Sequence, residues 1–270
     1  MLKRASLLAC AIMPAFFASA YGQSPQGQPP RDLVRQAVRT EIAANAADHS
    51  HWMFYETDNK PADGVEQWVA ETGTGDVNRV LQLNGTPLSE SEQRSRMEGF
   101  VHDSGAQAKQ RRSSQHDDRQ AAQMLNMLPN AFIWTRIGEQ GNSILLHFKP
   151  DPNFKPPTWE SRVFAAMEGD MAIDKTDHRI VSLKGKMIIA VKFGWGIFGS
   201  LEPGGWFQVE RRQVGDGIWQ ITETHVHIQG RALIFKSISD QEDDVKSKFQ
   251  RLPANITLDQ AMQKLMAVDK

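Results

Sequence analysis

The chain of 270 residues contains one cysteine, Cys10, and it lies close to the N-terminus. For the rest of the chain this excludes disulfides, thiolate catalysis and cysteine-based metal sites. Acidic and basic side chains nearly balance, 32 against 31, so no excess positive charge indicates nucleic acid or an anionic membrane surface as a partner. No segment after residue 20 is long and apolar enough to predict a membrane-spanning helix.

The first twenty residues have the pattern of a secretory signal peptide. Lys3-Arg4 precedes an apolar run over residues 5–17, and the small residues 18–20 follow it. We therefore predict a signal peptide over 1–20 and a periplasmic or secreted protein. The alternative is a lipobox that ends at Cys10, but it would strand the apolar residues 11–17 on the mature protein.

Residues 21–31 are rich in proline and glutamine and predict a disordered tether. Residues 32–270 are predicted to form one domain. It opens with an amphipathic helix over 32–47 and closes with a helix that begins near Thr257. The charged middle segment, 89–128, predicts two further helices, and the second of these has a short apolar stripe of Ala121, Met124, Leu125 and Leu128.

From residue 131 onward the chain is predicted to consist almost entirely of strands. The segments 159–173 and 180–193 show the longest alternation of apolar and polar residues in the sequence. A change of apolar parity between Ile221 and Val226 predicts a β-bulge. The element order predicts an α+β fold: a large curved antiparallel sheet, an incomplete β-barrel, with helices packed against its concave face.

The sequence carries no catalytic signature. There is no Gly-x-Ser-x-Gly nucleophile elbow and no Ser-x-x-Lys with its partner motifs. Residues 194–199 match the glycine spacing of dinucleotide-binding loops, but a proline-glycine turn and a strand follow them. Such a loop needs a helix N-terminus to hold the pyrophosphate. We therefore predict that the protein is not an enzyme and has no cofactor.

Two groups of polar residues are candidates for a metal site or for acid–base catalysis. His225 and His227 alternate along one predicted strand, so both side chains would lie on the same face and could bind one metal ion. A metal site needs a third ligand, and the sequence offers only loose candidates such as Glu223. We therefore predict no metal site. The second group alternates along the predicted strand 159–173 and its turn. We interpret its members as the solvated face of that strand rather than as paired catalytic carboxylates; they are Glu160, Glu168, Asp170 and Asp174.

The segment 193–207 combines five glycines with large apolar residues. It could form a mobile lip at the mouth of a cavity, a loop that touches a membrane, or a long connection folded onto the sheet. We favour the connection.

The apolar faces of the two long predicted strands are the candidate ligand site. They contain Met167, Met171 and Met187, and methionine suits surfaces that adapt to varied apolar ligands. Ordinary core packing is the competing interpretation. If space remains between sheet and helices, the predicted lining is Val163, Met167, Met171, Ile173, Val181, Leu183, Met187, Ile189 and Val191.

The element order and one local motif resemble the periplasmic carriers of outer-membrane lipoprotein sorting and the related sigma-factor regulatory proteins. The motif, Asn-Arg-Val-Leu-Gln-Leu-Asn-Gly-Thr-Pro-Leu at 78–88, is similar to the Leu-x-Gly-x-Pro strand and turn of the regulatory proteins. The resemblance implies an incomplete barrel around helices and a cavity for acyl chains. It also implies a cavity arginine, for which Arg79 and Arg162 are candidates. The long charged segment 89–128 departs from the carriers.

These observations favour an exported, non-enzymatic protein of the cell envelope that binds a hydrophobic ligand, a lipid or a lipoprotein acyl chain. Two alternatives stay open. One is a regulatory or scaffolding domain that binds a protein partner through its sheet edge or the loop from Trp195 to Trp206. The other is a secreted hydrolase without a recognisable motif.

Overall fold

The computed structural model describes residues 27–61, 63–193, 199–231 and 239–268, so the predicted signal peptide lies outside the described residues. The helices in these ranges are α1 (Pro30–Ala47), α2 (Glu90–Val101), α3 (Ser104–Ala131), α4 (Trp159–Phe164) and α5 (Leu258–Met266). The strands are β1 (His51–Asp58), β2 (Val65–Ala70), β3 (Val77–Leu83), β4 (Thr86–Pro87), β5 (Phe132–Gln140), β6 (Ser143–Pro150), β7 (Met167–Asp174), β8 (Ile180–Met187), β9 (Val191–Phe193), β10 (Gly199–Leu201), β11 (Trp206–Gly215), β12 (Ile218–Arg231) and β13 (Ser239–Leu252).

Eleven of these strands form one antiparallel sheet in the order β4-β3-β2-β1-β13-β12-β11-β8-β7-β6-β5. The short strands β9 and β10 form a ribbon that joins the sheet where β10 pairs with β12. Strands β4 and β5 stand at opposite ends of the order, so the sheet is open and not closed into a barrel. The α+β prediction with a large antiparallel sheet is confirmed.

None of the helices within the described ranges combines the length and the apolar content that crossing a bilayer requires.

Helices cover both faces of the sheet, at different ends. Because directly paired residues of antiparallel strands point to the same side, the register allows one face to be followed across all strands. The face that contains Leu146, Met171 and Leu183, here called the α1 face, packs against α1 and α3. The opposite face, here called the α5 face, contains Met53 and Trp68 and packs against α2 and α5.

The largest hydrophobic cluster lies between the α1 face and its helices. The inward stripe of α1 consists of Leu33, Val34, Ala37 and Val38, whose spacing suits a helix that buries one side. The ring centroid of Phe132 on β5 lies 4.6 Å from that of Phe148 on β6 and 4.9 Å from that of Phe164 on α4. These aromatic contacts bring α4 and strands β5 and β6 into one core.

The prediction of one strand over 159–173 is wrong. Residues 159–164 form α4, because Thr158 and Ser161 make a capping box: each hydroxyl accepts a hydrogen bond from the other residue's N–H, at 3.2 and 2.9 Å. The prediction of one strand over 180–193 is also wrong, since β8 ends at Met187 and β9 begins at Val191. At this break the Met187 N–H donates to the Gly205 carbonyl.

The predicted bulge in β12 is confirmed. Glu223 pairs with Glu210 and Ile221 pairs with Arg211, which leaves Thr222 as the extra residue. Another bulge, which the sequence did not predict, lies in β8. There Ser182 pairs with Ala172 and Ile180 with Ile173, so the residue between them has no partner.

Two carboxylates, the buried Asp244 on β13 and the half-buried Glu71 beside β1, are costly when they are ionised. Asp244 is buried, and its desolvation raises its pKa to about 6, although Lys246 Nζ lies 3.2 Å from its Oδ2. Burial also raises the pKa of Glu71 to about 7, although Glu71 Oε2 accepts a hydrogen bond from the Trp52 N–H. Both groups bind protons more tightly in the folded than in the unfolded protein.

These two carboxyl groups are therefore expected to lower the free energy of unfolding as pH rises from about 4 to about 7. The folded state keeps protons that the unfolded state has already released over this range. Glu71→Gln should raise Tm at pH 8 by about 2–4 °C and change little near pH 4.5. Thermal unfolding followed by circular dichroism across this range measures the effect. Glu98→Gln on the exposed side of α2 is the control, and equal profiles for the two variants would contradict the expectation.

Candidate ligand groove

An open groove of about 550 Å³ lies on the α1 face, between α1, α3 and the sheet. This volume lies within the range of about 300–1,000 Å³ that small-molecule sites occupy. Its wall is mainly apolar and is built from α1, α3, Phe164 and strands β8, β11 and β12. The lining residues are Glu41, Ile42, Asn45, Ala46, Asp118, Ala121, Ala122, Met124, Leu125, Leu128, Phe164, Ile180, Leu183, Val209, Arg211 and Ile221.

Small side chains help to leave this space between the helices and the sheet. Ala46 on α1 and Ala121 and Ala122 on α3 line the groove, and alanine is too short to fill a gap between helices. The groove keeps apolar surface in water, since Ile221 on its wall is 42% exposed. Exposed apolar surface in a concavity is typical of a binding site.

A depression of about 600 Å³ also lies beyond the C-terminal end of α1. Its wall includes Asp48, His49, Ser50 and Arg251, and it is more polar than the groove. We take the groove as the candidate site because an apolar wall is what distinguishes small-molecule sites.

Of the nine residues predicted to line a cavity, Leu183 lies on the wall of the groove. Val163 is on α4 rather than on a strand and packs from there against the large cluster. Five others lie inside that cluster and are almost fully buried: Met167, Met171, Ile173, Met187 and Val191. The apolar face of the two strands is therefore largely filled core beside the groove.

The remaining two residues point elsewhere. Val181 is the extra residue of the β8 bulge, and Ile180 takes the inward position in its place. Ile189 lies in the break between β8 and β9 and is 51% exposed. Both displacements follow from irregularities that interrupt the alternation along the chain.

The sequence prediction did not include the helical half of the groove wall. The stripe of Ala121, Met124, Leu125 and Leu128 on α3 was a visible signal, and all four residues line the groove. Glu41 and Arg211 carried no such signal, because their side chains meet only in the folded protein.

A buried ion triad forms part of this wall. Glu41 Oε2 accepts hydrogen bonds from Arg179 Nη2 at 2.8 Å and from Arg211 Nη1, and its Oε1 accepts the Ile180 N–H at 2.7 Å. Burial alone would raise the pKa of Glu41, but the hydrogen bond from Arg179 and the charge of Arg211 outweigh it and lower that pKa. Glu41 is thus an ionised carboxylate between two guanidinium groups.

The two arginines suggested by the resemblance do not line the groove. Arg79 is buried on the α5 face, where it donates to Gln93 Oε1 at 2.9 Å and to the Leu265 carbonyl at 2.7 Å. It therefore joins β3 to α2 and α5. Arg162 is exposed on α4. The arginine on the groove wall is Arg211.

The paired histidines share a carboxylate on the α5 face. His225 Nδ1 lies 2.7 Å and His227 Nε2 lies 3.1 Å from Asp243 Oδ1, and the hydrogen bond from His225 lowers the pKa of Asp243. Glu223 Oε2 is 3.8 Å from His225 Nε2. Among the described residues, no group of three or more His, Cys, Asp or Glu side chains is arranged so that it could hold a metal ion.

The predicted solvated row of carboxylates is divided by the structure. Glu168 and Asp170 flank His147 on the α5 face, with Oε1 3.1 Å from Nε2 and Oδ1 2.8 Å from Nδ1. Asp174 is buried, contrary to the prediction. Its Oδ1 accepts hydrogen bonds from the N–H groups of Thr176 and Asp177 in the turn after β7, which stabilise the buried carboxyl group. The side chain of Glu160 and the glycine-rich residues 194–198 lie outside the described residues.

Comparison of the chain with protein families, curated proteins and solved structures finds no significant match. The function is therefore inferred from the groove and from the residues around it.

Proposed function

We propose that the protein is an exported, non-enzymatic binding protein of the cell envelope. It holds a hydrophobic ligand, a lipid or a lipoprotein acyl chain, in the groove between α1, α3 and the sheet. The single observation that carries the proposal is the open groove with its mainly apolar wall. Affinity comes from removing the acyl chain from water, at about 0.8 kcal/mol for each buried CH₂ group.

Two features of the sequence support this proposal. The first twenty residues have the composition of a signal peptide, which supports export. The resemblance of residues 78–88 and of the element order to the lipoprotein carriers supports an acyl chain as the cargo.

The first test is native mass spectrometry of the protein purified from the periplasm, followed by lipid extraction. We expect a mass increment that disappears under denaturing conditions and a lipid in the extract at comparable molar amount. The proposal would be contradicted if the protein showed only the unliganded mass and its extract contained no lipid, both as purified from cells and after incubation with phospholipid vesicles.

Leu125→Asp is expected to abolish lipid loading. Leu125 lies on the groove wall and packs against the large cluster, so a carboxylate there puts a charge where the acyl chain would lie. Gln123→Asp is the matched control, because it adds the same charge to the exposed side of α3 two residues earlier. Lipid per protein, measured after extraction, should fall at least about tenfold for Leu125→Asp alone. Equal loading of the two variants would reject the groove as the binding site.

A second candidate function is binding of a protein partner through the edge of the sheet. Strand β5 is the last strand in the order, and its Ile133 and Ile137 are exposed. An edge strand with exposed apolar side chains can accept a strand from another protein. This function would be favoured over the first if a protein partner co-purified in equal molar amount with the unaltered protein but not with Ile137→Lys, and if the unaltered protein yielded no lipid on extraction.

A further inference from the structure

We infer that the ligand of the groove is an anionic amphiphile, a long-chain carboxylate whose head group is held by Arg211. This inference rests on the proposed function and specifies its ligand class. It follows from the charge of the buried triad, from the incomplete hydrogen bonding of its arginines and from the apolar surroundings.

The triad carries one net positive charge. Arginine stays protonated in proteins, so Arg179 and Arg211 contribute two positive charges and Glu41 one negative charge. All three side chains are largely removed from water, with 8%, 18% and 4% of their surface exposed. A charge in such surroundings is costly without a counter-charge. One acidic head group would balance it.

Arg211 is the member of the pair of arginines that reaches the groove. It lies on the groove wall and is the more exposed of the two. Its Nη1 donates to Glu41, and its Nη2 donates to the Trp219 carbonyl at a long 3.2 Å. The Nε atoms of both Arg211 and Arg179 are buried and have no hydrogen-bond partner among the described residues. Those two Nε atoms are closed off from the groove, but the bonds to Glu41 and Trp219 occupy only two of the five N–H donors of Arg211. Its Nη1 and Nη2 atoms therefore retain donors that an acceptor in the groove could use.

The other charged group on the groove wall does not cancel this excess. Asp118 lies on the exposed middle part of α3, where water screens its charge. Most of the remaining wall is apolar and includes Met124, Leu125 and Leu183. A positive site beside an apolar wall matches a molecule that has one acidic head and one acyl chain.

The test compares cis-parinaric acid, a fluorescent long-chain carboxylate, with its uncharged methyl ester, on the delipidated protein. We expect the acid to bind at least about tenfold more tightly than the ester, because a hydrogen-bonded charge pair is added. Arg211→Met should lower the acid-to-ester ratio of affinities to about 1.

Arg212→Met is the matched control. The next residue along β11 points to the α5 face, where its Nη2 lies 2.7 Å from Glu223 Oε1, so the variant removes the same charge away from the groove. Arg211→Lys keeps the charge and should keep most of the preference for the acid. Circular dichroism and Tm of each variant show whether a loss of binding comes from a loss of folding. The ratio of acid to ester affinity in the unaltered protein tests the inference even if a variant does not fold.

The outcomes separate the two proposals. Equal binding of acid and ester by the unaltered protein would overturn the inference about the head group and leave the hydrophobic groove in place. A preference for the acid that Arg211→Met does not reduce would also overturn it. Binding of neither probe would reject the groove as a lipid site and, with it, the proposed function.

Discussion

Glu41→Leu is expected to destabilise the protein by about 3–5 kcal/mol, the cost of breaking a buried ion pair by removing one partner. Without the carboxylate, the guanidinium groups of Arg179 and Arg211 are buried side by side, and the Ile180 N–H loses its acceptor. Equilibrium unfolding in urea, with the variant and the unaltered protein measured at the same pH, gives the difference directly.

Two further variants show whether the loss comes from the triad. Arg39→Leu changes an exposed residue on the same helix and should alter the free energy of unfolding by less than about 0.5 kcal/mol. Replacing the whole triad, with Glu41→Leu, Arg179→Met and Arg211→Met combined, should recover much of the stability, because no unpaired charge is left in the core. A loss below about 1 kcal/mol for Glu41→Leu would show that the carboxylate is not buried between the arginines.

Gly169→Ala is expected to cost about 3 kcal/mol or more, at the upper end of what overpacking in a core costs. A Cβ atom at this position would lie 1.9 Å from the Lys184 carbonyl oxygen and 2.7 Å from the Gly185 Cα atom. Both neighbours are backbone atoms of β8, so the clash can be relieved only by moving β7 and β8 apart. Thermal and urea unfolding measure the loss.

The control and a graded variant make this expectation specific. A Cβ atom at Gly185 would meet the side chain of Phe207 at 2.6 Å, and a side chain can turn away, so Gly185→Ala should cost less than Gly169→Ala. Gly99 on the exposed side of α2 has open space around it. Gly99→Ala should stabilise the protein by about 0.5–1 kcal/mol because alanine favours a helix. Equal effects at Gly169 and Gly185 would contradict the backbone contact.

The paired glycines explain how the core closes over the centre of the sheet. Gly169 and Gly185 are directly paired on the α1 face of β7 and β8. A built Cβ atom at Gly185 would also lie 3.4 Å from the ring of Phe148. The rings of Phe148 and Phe207 therefore cover backbone where two side chains would otherwise stand. This arrangement fills the core next to the groove.

Local sequence determined those elements whose signals lie within a few residues of one another. A capping box of Ser89 and Glu92 starts α2, and one of Thr257 and Gln260 starts α5. The sequence predicted helices that begin at these two places. The parity change in β12 located its bulge, and the long alternating runs indicated an antiparallel sheet. Where two local signals conflicted, as at Thr158, the capping box prevailed over the alternation.

The groove was decided by tertiary structure alone. Alternation along a strand shows that one side is apolar, but it does not show whether helices fill the space above that side or leave it open. Met187 lies in the filled core and Leu183, four residues earlier on the same strand, lines the groove. Glu41, Arg179 and Arg211 come from three distant segments, and no local pattern predicts their meeting. Burial and pairing of charges depend on which elements the fold brings together, and that information is spread over the whole chain.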